Sequence, residues 1–352
     1  MRYCMRKIIL TVAFALALAA LTCGCAFNKT SEKLALAYEN IENTEYSQAL
    51  SLLDEAKEEG EDERLTERAR GIAYLGLGKY PEAITAFENT LSMSKGILSN
   101  IDYDVNFYLA TAYYKSGNID EALKIYDSIL ALKPNNVDAV YLQGVLYAQK
   151  DEIDKAMDNF DKAVMLAPEN YDMLIEMYSI LAQNGYKEVG EQYLKDAFES
   201  GTKKMTNYEK GQISFYLGDY ESARTYLEKA KDERGAEAVL FLGKTYETLG
   251  DTNYAVSVYS SYLSSGEESA EVLNQMGLCK MRMEDYQGAL DAFQQAENIV
   301  GNDIMQTLKF NEIVAYEYLG DFKKACVLTE SYMRNYPDDE NAKREYTFLK
   351  TR

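Results

Sequence analysis

The chain has no histidine and no tryptophan, only five cysteines in 352 residues, and far fewer basic than acidic groups. Without histidine it lacks the commonest general base near neutral pH and the commonest metal ligand. Basic residues number 37 against 57 acidic ones, a net charge of -20, and losing Arg2, Arg6 and Lys7 with a cleaved leader would deepen it to about -23. A surface of that sign without a basic patch repels phosphate backbones and argues against a nucleic-acid partner. No phosphate-binding loop is present, because Gly71, Gly76 and Gly78 do not fit G-x-x-x-x-G-K-[ST]. Asp102, Asp104 and Asn106 superficially copy a calcium loop, but Phe107 stands where that loop needs glycine. Abundant carboxylates without a pocket-forming fold read as a solvated acidic face, so neither a metal nor a cofactor is expected.

What the chain has instead is repetition. Val137 to Asn170 forms one 34-residue period with two apolar helical faces. Leu142, Leu146 and Tyr147 lie on the first, and Ile153, Met157, Phe160 and Val164 on the second. Lys150 and Asp151 turn the chain between them, and Pro168 stops the second helix, holding the residue before it extended. Nine such units start at Thr30, Arg64, Tyr103, Val137, Tyr171, Lys204, Ala236, Ala270 and Gln306. With the register set by the small residue at position 20 of each unit, position 8 is Ala or Gly in seven of the nine, the exceptions being Tyr178 and Ile313. That regularity was not imposed by the alignment. Position 24 is large in all units but the last, and position 11 is tyrosine in five. The fifth unit departs at both small positions, with Tyr178 and Gly190, and the sixth is short, turning at Gly218-Asp219-Tyr220.

The pattern x-L-x-G-x-x-Y, then Ala, Phe, Ala and Pro at this period resembles the tetratricopeptide repeat from Thr30 to about Pro337. The resemblance implies an all-α, right-handed superhelical solenoid of about nine helix-turn-helix repeats. Each unit buries its apolar face only against its neighbours, so the stack is expected to have no natural internal boundary, and Asn341 to Leu349 reads as a capping helix with Tyr346 and Leu349 inward. Between the second and third units the spacing stretches to 39 residues, placing an insert within Ser92 to Asp102. It reads either as a partner-binding loop or as a tolerated surface insertion.

Residues 1-24 read as a signal peptide, 25-31 as a tether and 32-352 as the repeat region. Arg2, Arg6 and Lys7 precede the apolar run Ile8 to Leu21, which has the length of a leader core and is short for a membrane span. Gly24-Cys25 after that run resembles the bacterial lipobox, which implies cleavage before Cys25 and lipid attachment to its sulfur. An ordinary secretory leader or an uncleaved anchor are the alternatives. Either way the repeats are expected outside the cytoplasm. Of the remaining cysteines, Cys279 and Cys326 occupy non-equivalent positions in adjacent units, where free thiols or a disulfide are both open.

In the family the concave groove is lined by the first helix of each unit. Carried over by position, the groove residues here include Asp104, Phe107, Tyr114, Asp138, Tyr141, Asp172, Tyr208 and Phe215. Acidic and aromatic members together suit an apolar, basic protein or peptide partner. The carboxylate-clamp subset, with Lys at position 5 and Asn at position 9, is not supported, since those positions hold Arg68 with Ile72 and Phe107 with Thr111. The resemblance thus implies a non-enzymatic, membrane-anchored scaffold or adaptor of the bacterial cell envelope. A glycan- or solute-binding lipoprotein using the chain's 30 tyrosines is the alternative.

Overall fold

The computed structural model describes residues 32-94, 99-201, 203-302, 304-337 and 339-352, so the leader and Cys25 lie outside the described residues. Every regular element among them is an α-helix. Two compact units result, one ending at Met173 and the other running Leu174-Arg352.

In the first unit α1 (Glu32–Glu42) pairs with α2 (Tyr46–Glu58), α3 (Glu63–Gly76) with α4 (Tyr80–Ser92), α5 (Asn100–Lys115) with α6 (Ile119–Leu132), and α7 (Val137–Gln149) with α8 (Ile153–Leu166). Helix α9 (Tyr171–Gln183) carries the boundary between the units, and α10 is Lys187–Gly201. In the second unit α11 (Asn207–Tyr216) pairs with α12 (Tyr220–Arg234), α13 (Ala236–Thr248) with α14 (Thr252–Ser264), and α15 (Ala270–Arg282) with α16 (Tyr286–Glu297). Then α17 (Met305–Tyr318) pairs with α18 (Phe322–Asn335), and α19 (Glu340–Leu349) closes the C-terminus against α18. First helices of successive pairs also touch one another, α1 with α3, α3 with α5, α11 with α13 and α13 with α15. Within each unit this places those first helices side by side in a layer.

The turn within each pair has one geometry throughout. Position 15 is left-handed in all nine repeats, at Thr44, Gly78, Gly117, Asp151, Gly185, Gly218, Gly250, Glu284 and Gly320. The next N–H returns to the carbonyl five residues back, as in Asp251 N to Tyr246 O at 2.8 Å and Asp285 N to Lys280 O at 2.9 Å. That bond satisfies a helix-end carbonyl and reverses the chain in a few residues. After the second helix the stop differs. Ala167 leaves the helical region (φ -142, ψ 66), consistent with the bias Pro168 places on its predecessor.

The two helices of a pair are held at short distance by a small residue opposite a large one. Position 24 is fully or almost fully buried in eight repeats, by Leu53, Phe87, Tyr126, Phe160, Leu194, Leu227, Tyr259 and Phe293. Where position 8 is glycine, its missing side chain is where the large residue lies: a Cβ on Gly144 would stand 2.7 Å from the Phe160 ring, and one on Gly277 2.5 Å from Phe293. The two exceptions at position 8 are compensated. In the fifth repeat Tyr178 faces Gly190, whose Cβ would come 3.0 Å from the Tyr178 backbone. In the last repeat Ile313 is buried and position 24 shrinks to Thr329, whose hydroxyl bonds Ala325 O at 2.8 Å.

The insert before the third repeat goes partly into helix. Helix α5 starts at Asn100, three residues before the predicted start, because Ser99 and Asp102 form a reciprocal capping box. Arg64 ties that helix end down, bonding Thr90 O and Ser99 Oγ and pairing with the buried Asp102. At the other end, Ala342 and Leu349 of α19 are buried as a cap requires, whereas Tyr346 is only half-buried and gives its hydroxyl to the Glu330 carboxylate. The ring is long enough to carry its polar end back to the edge. Also at this cap, burial and the Glu345 carboxylate push Glu317 up to about 7, with one buried oxygen lacking a hydrogen-bond donor.

Two outcomes follow from this packing. Gly277→Ala should lower the melting temperature, because overpacking of about 1–3 kcal/mol exceeds the roughly 1 kcal/mol gained in helix propensity. Adding Phe293→Leu, the size found opposite Gly211 and Ala37, should recover part of the loss in a double-mutant cycle by thermal unfolding. Additive losses would show that the two residues do not meet. For Glu317 the folded-state pKa lies above the unfolded one, so its contribution is most favourable below about pH 4.5 and is lost as pH rises through about 7. Glu317→Gln should therefore raise the melting temperature at pH 8 and change it little at pH 4.

Candidate functional site

The first-helix layer contains the predicted groove positions, and the structure sorts them into three kinds. Phe107, Tyr141 and Tyr208 are buried and serve the packing. Phe107 meets Tyr126 edge-on at 6.0 Å, and Tyr141 lies 6.1 Å from Phe160, so their rings support the helix pairs and expose little surface. Asp104 is taken by Arg68 from the preceding repeat. Arg68 Nε donates to Asp104 Oδ2 at 2.7 Å, its terminal nitrogens reach Asp104 and the Tyr38 hydroxyl, and its plane lies 5.8 Å from Tyr38 and 5.7 Å from Tyr108. Burial pushes the Asp104 carboxyl up, and Arg68 opposes that shift. One Asp104 oxygen remains buried without a donor. The third kind reaches solvent: Asp138 and Asp172 are exposed, and Tyr114 and Phe215 are half-buried. Asp138 touches solvent, yet neighbouring helices displace enough water to push its carboxyl upward. Tyr114 accepts a bond from Gln149 in the next repeat.

In the second unit the first helices gather an aromatic cluster of their own. Phe215 of α11 packs edge-on against Tyr216, Tyr220 and Phe241 at 5.8, 5.3 and 6.1 Å, and Tyr216 also meets Phe241 at 6.1 Å and Tyr178 at 5.4 Å. Lys244 of α13 is exposed and holds its ammonium 4.9 Å from the Phe215 centroid and 5.9 Å from that of Phe241. Phe215 belongs to the groove set carried over by position, whereas Phe241, at position 6 of its unit, and Lys244, at position 9, do not appear in that set. A half-buried aromatic one helical turn before a lysine was the signal available.

Cys279 is a poor candidate for a nucleophile. Cys279 and Cys326 are both free. Cys279 is buried, donates to Glu247 Oε1 at 3.0 Å and is pushed up to about 12 by burial and by that carboxylate, so it stays protonated. Among the described residues no group of three or more His, Cys, Asp or Glu could hold a metal ion.

With the paired helices, the position-15 turn and the interlock at positions 8 and 24 in place, known proteins can be compared. The tetratricopeptide repeat family matches residues 74–146, 137–170 and 206–234. The chain is a tetratricopeptide repeat protein. A TPR repeat-containing protein of Methanocaldococcus jannaschii is 25% identical over 72% of this chain and 41% of its own length. The BBSome complex member bbs-4 of Caenorhabditis elegans is 37% identical over 24% of this chain and 17% of its own. The chain thus spans less than half the length of these curated relatives. Among solved structures, yeast Tom70 superposes with a TM-score of 0.53 at 15% identity, covering 99% of this chain and 86% of that one, a likeness of fold. The family match 137–170 coincides with the repeat Val137 to Asn170.

For the tetratricopeptide first-helix layer, Arg68→Met should destabilise the protein by up to about 3–5 kcal/mol at pH 7.5, because it strands Asp104 as a buried charge. The deficit should shrink toward pH 4, where the orphaned carboxyl takes up a proton, its folded pKa then lying above the unfolded value. A deficit independent of pH in thermal melts would assign the loss to packing around Tyr38 and Tyr108.

Proposed function

We propose that this tetratricopeptide protein is a non-enzymatic scaffold or adaptor that holds a protein or peptide partner on its first-helix layer. In this reading it is a lipoprotein anchored outside the cytoplasm through Cys25. The observation that carries it is the layer itself. Within each unit first helices of successive repeats abut; in the first unit the groove positions include the exposed carboxylates Asp138 and Asp172 and the half-buried ring of Tyr114, and in the second the half-buried ring of Phe215. Such a surface has the extent and mixed polarity used for peptides. The fold supports the scaffold reading, and one relative is by name a member of a complex. For the anchor the support is Gly24-Cys25 after the apolar run.

The two halves are tested apart. Cys25→Ala should abolish labelling by radioactive fatty acid and leave unprocessed precursor, and retained labelling would move the anchor elsewhere. Crosslinking and pull-down from envelope extract should recover a partner. Titrated against wild type and Asp138→Asn, that partner should bind the variant more weakly and lose affinity with salt, since the steering carboxylate is exposed. Equal binding would remove Asp138 from the site. Tyr141→Ala is unsuited to this test, because that ring is buried against Phe160. Binding of oligosaccharides in place of any protein would favour the glycan alternative.

A further inference from the structure

Lys244 stands apart from the ion pairs around it. No carboxylate among the described residues lies within ion-pair distance of its ammonium, which rests over the faces of Phe215 and Phe241. Several acids of the same segment have partners of their own. Glu209 closes a capping box on Thr206, Asp219 caps Ser222 N at 3.1 Å, Glu228 takes Lys231 and the Tyr246 hydroxyl, and Glu247 takes Arg282. The segment is also the exception to the chain's acidity. Lys203 to Glu247 holds eight basic and eight acidic residues in a chain of net charge -20. An exposed cation on an aromatic platform, on locally neutral ground, complements a carboxylate flanked by apolar side chains. The cation–π contact is worth only about 0.5–1 kcal/mol at an exposed site, so an incoming carboxylate can draw the ammonium from the rings without a large loss. The vacated ring faces then accept an aromatic or large aliphatic neighbour.

We infer that the α11–α13 face, built on Phe215, Tyr216, Phe241 and Lys244, binds an extended peptide segment in which an Asp or Glu sits beside an aromatic or large aliphatic residue. This rests on the scaffold reading and narrows the partner at the second unit. It differs in sign from the first unit, where the exposed charges of the groove set are Asp138 and Asp172 and a basic segment fits. The repelling charge carried by most of the chain makes the acidic segment selective for this face, because like charges elsewhere disfavour competing registers.

Fluorescence polarisation tests it with two labelled nonapeptides, acetylated and amidated so that no terminal charge contributes, of sequence GSDFLDFGS and GSKFLKFGS. Wild type should bind the aspartate peptide about tenfold more tightly than the lysine peptide, and salt should erode the difference. Lys244→Glu changes an exposed side chain, so it should melt like wild type and reverse the preference. Lys244→Met should weaken the aspartate peptide alone. Equal affinities, a preference of wild type for lysine, an unchanged preference in Lys244→Glu, or no binding of either peptide up to about 1 mM overturns the inference. If the peptides fail while a crosslinked partner still binds and still depends on Asp138, the scaffold reading stands and the acidic-segment inference alone falls.

Discussion

The structure depends on a steric interlock repeated along the chain, a small residue at position 8 of the first helix opposite a large one at position 24 of the second. With Gly144 or Gly277 there is no side chain between the backbone and the facing ring, so the ring occupies the space a Cβ would need. Close approach of this kind fills the interior at the density that protein cores require and leaves little tolerance for a change on one side only. The last repeat exchanges the two sizes, with Ile313 at position 8 and Thr329 at position 24, and in the fifth Tyr178 comes close to Gly190 of the second helix, so close approach persists with different partners.

Between repeats, polar groups add contacts that differ from one repeat to the next. Arg68 is sandwiched between Tyr38 and Tyr108 and neutralised by Asp104, linking three successive repeats through one side chain. Arg64 does similar work at the start of α5, where the insert would otherwise leave a loose helix end. The C-terminal cap differs, since Glu317 there faces the Glu345 carboxylate and opposes packing once Glu317 ionises. These polar ties make individual repeats inequivalent, and inequivalence is what allows one face to present carboxylates and another a lysine on aromatic rings.

Much of the helical order was legible in the sequence because its signals are local. The pairing of Ala or Gly at position 8 with a large residue sixteen positions later, the glycines at position 15 and Pro168 after α8 depend on neighbours within one repeat, so the nine units are read in register. Even the left-handed Thr44, Asp151 and Glu284 sit where their glycine counterparts do, held there by the same returning hydrogen bond. Tyr346 shows the limit, since helical spacing places it on the inward face of α19 but not how far its ring reaches past that face toward Glu330.

The candidate groove was legible only as a set of positions. Asp104 and Asp138 share position 2 and look alike in sequence. Yet Arg68 from another repeat closes over one, and the other stays open. Phe107 and Tyr114 likewise share a helix, and only packing with Tyr126 decides that the first is core. Sequence by itself determined the repeat, its turns and the all-helical class, because those follow from backbone preference and side-chain volume within about 34 residues. Tertiary structure decided which charges are neutralised, which rings are covered and that Lys244 lies over Phe215 and Phe241. Those outcomes depend on side chains brought together across helix pairs, where desolvation and electrostatics act between residues that no local pattern connects.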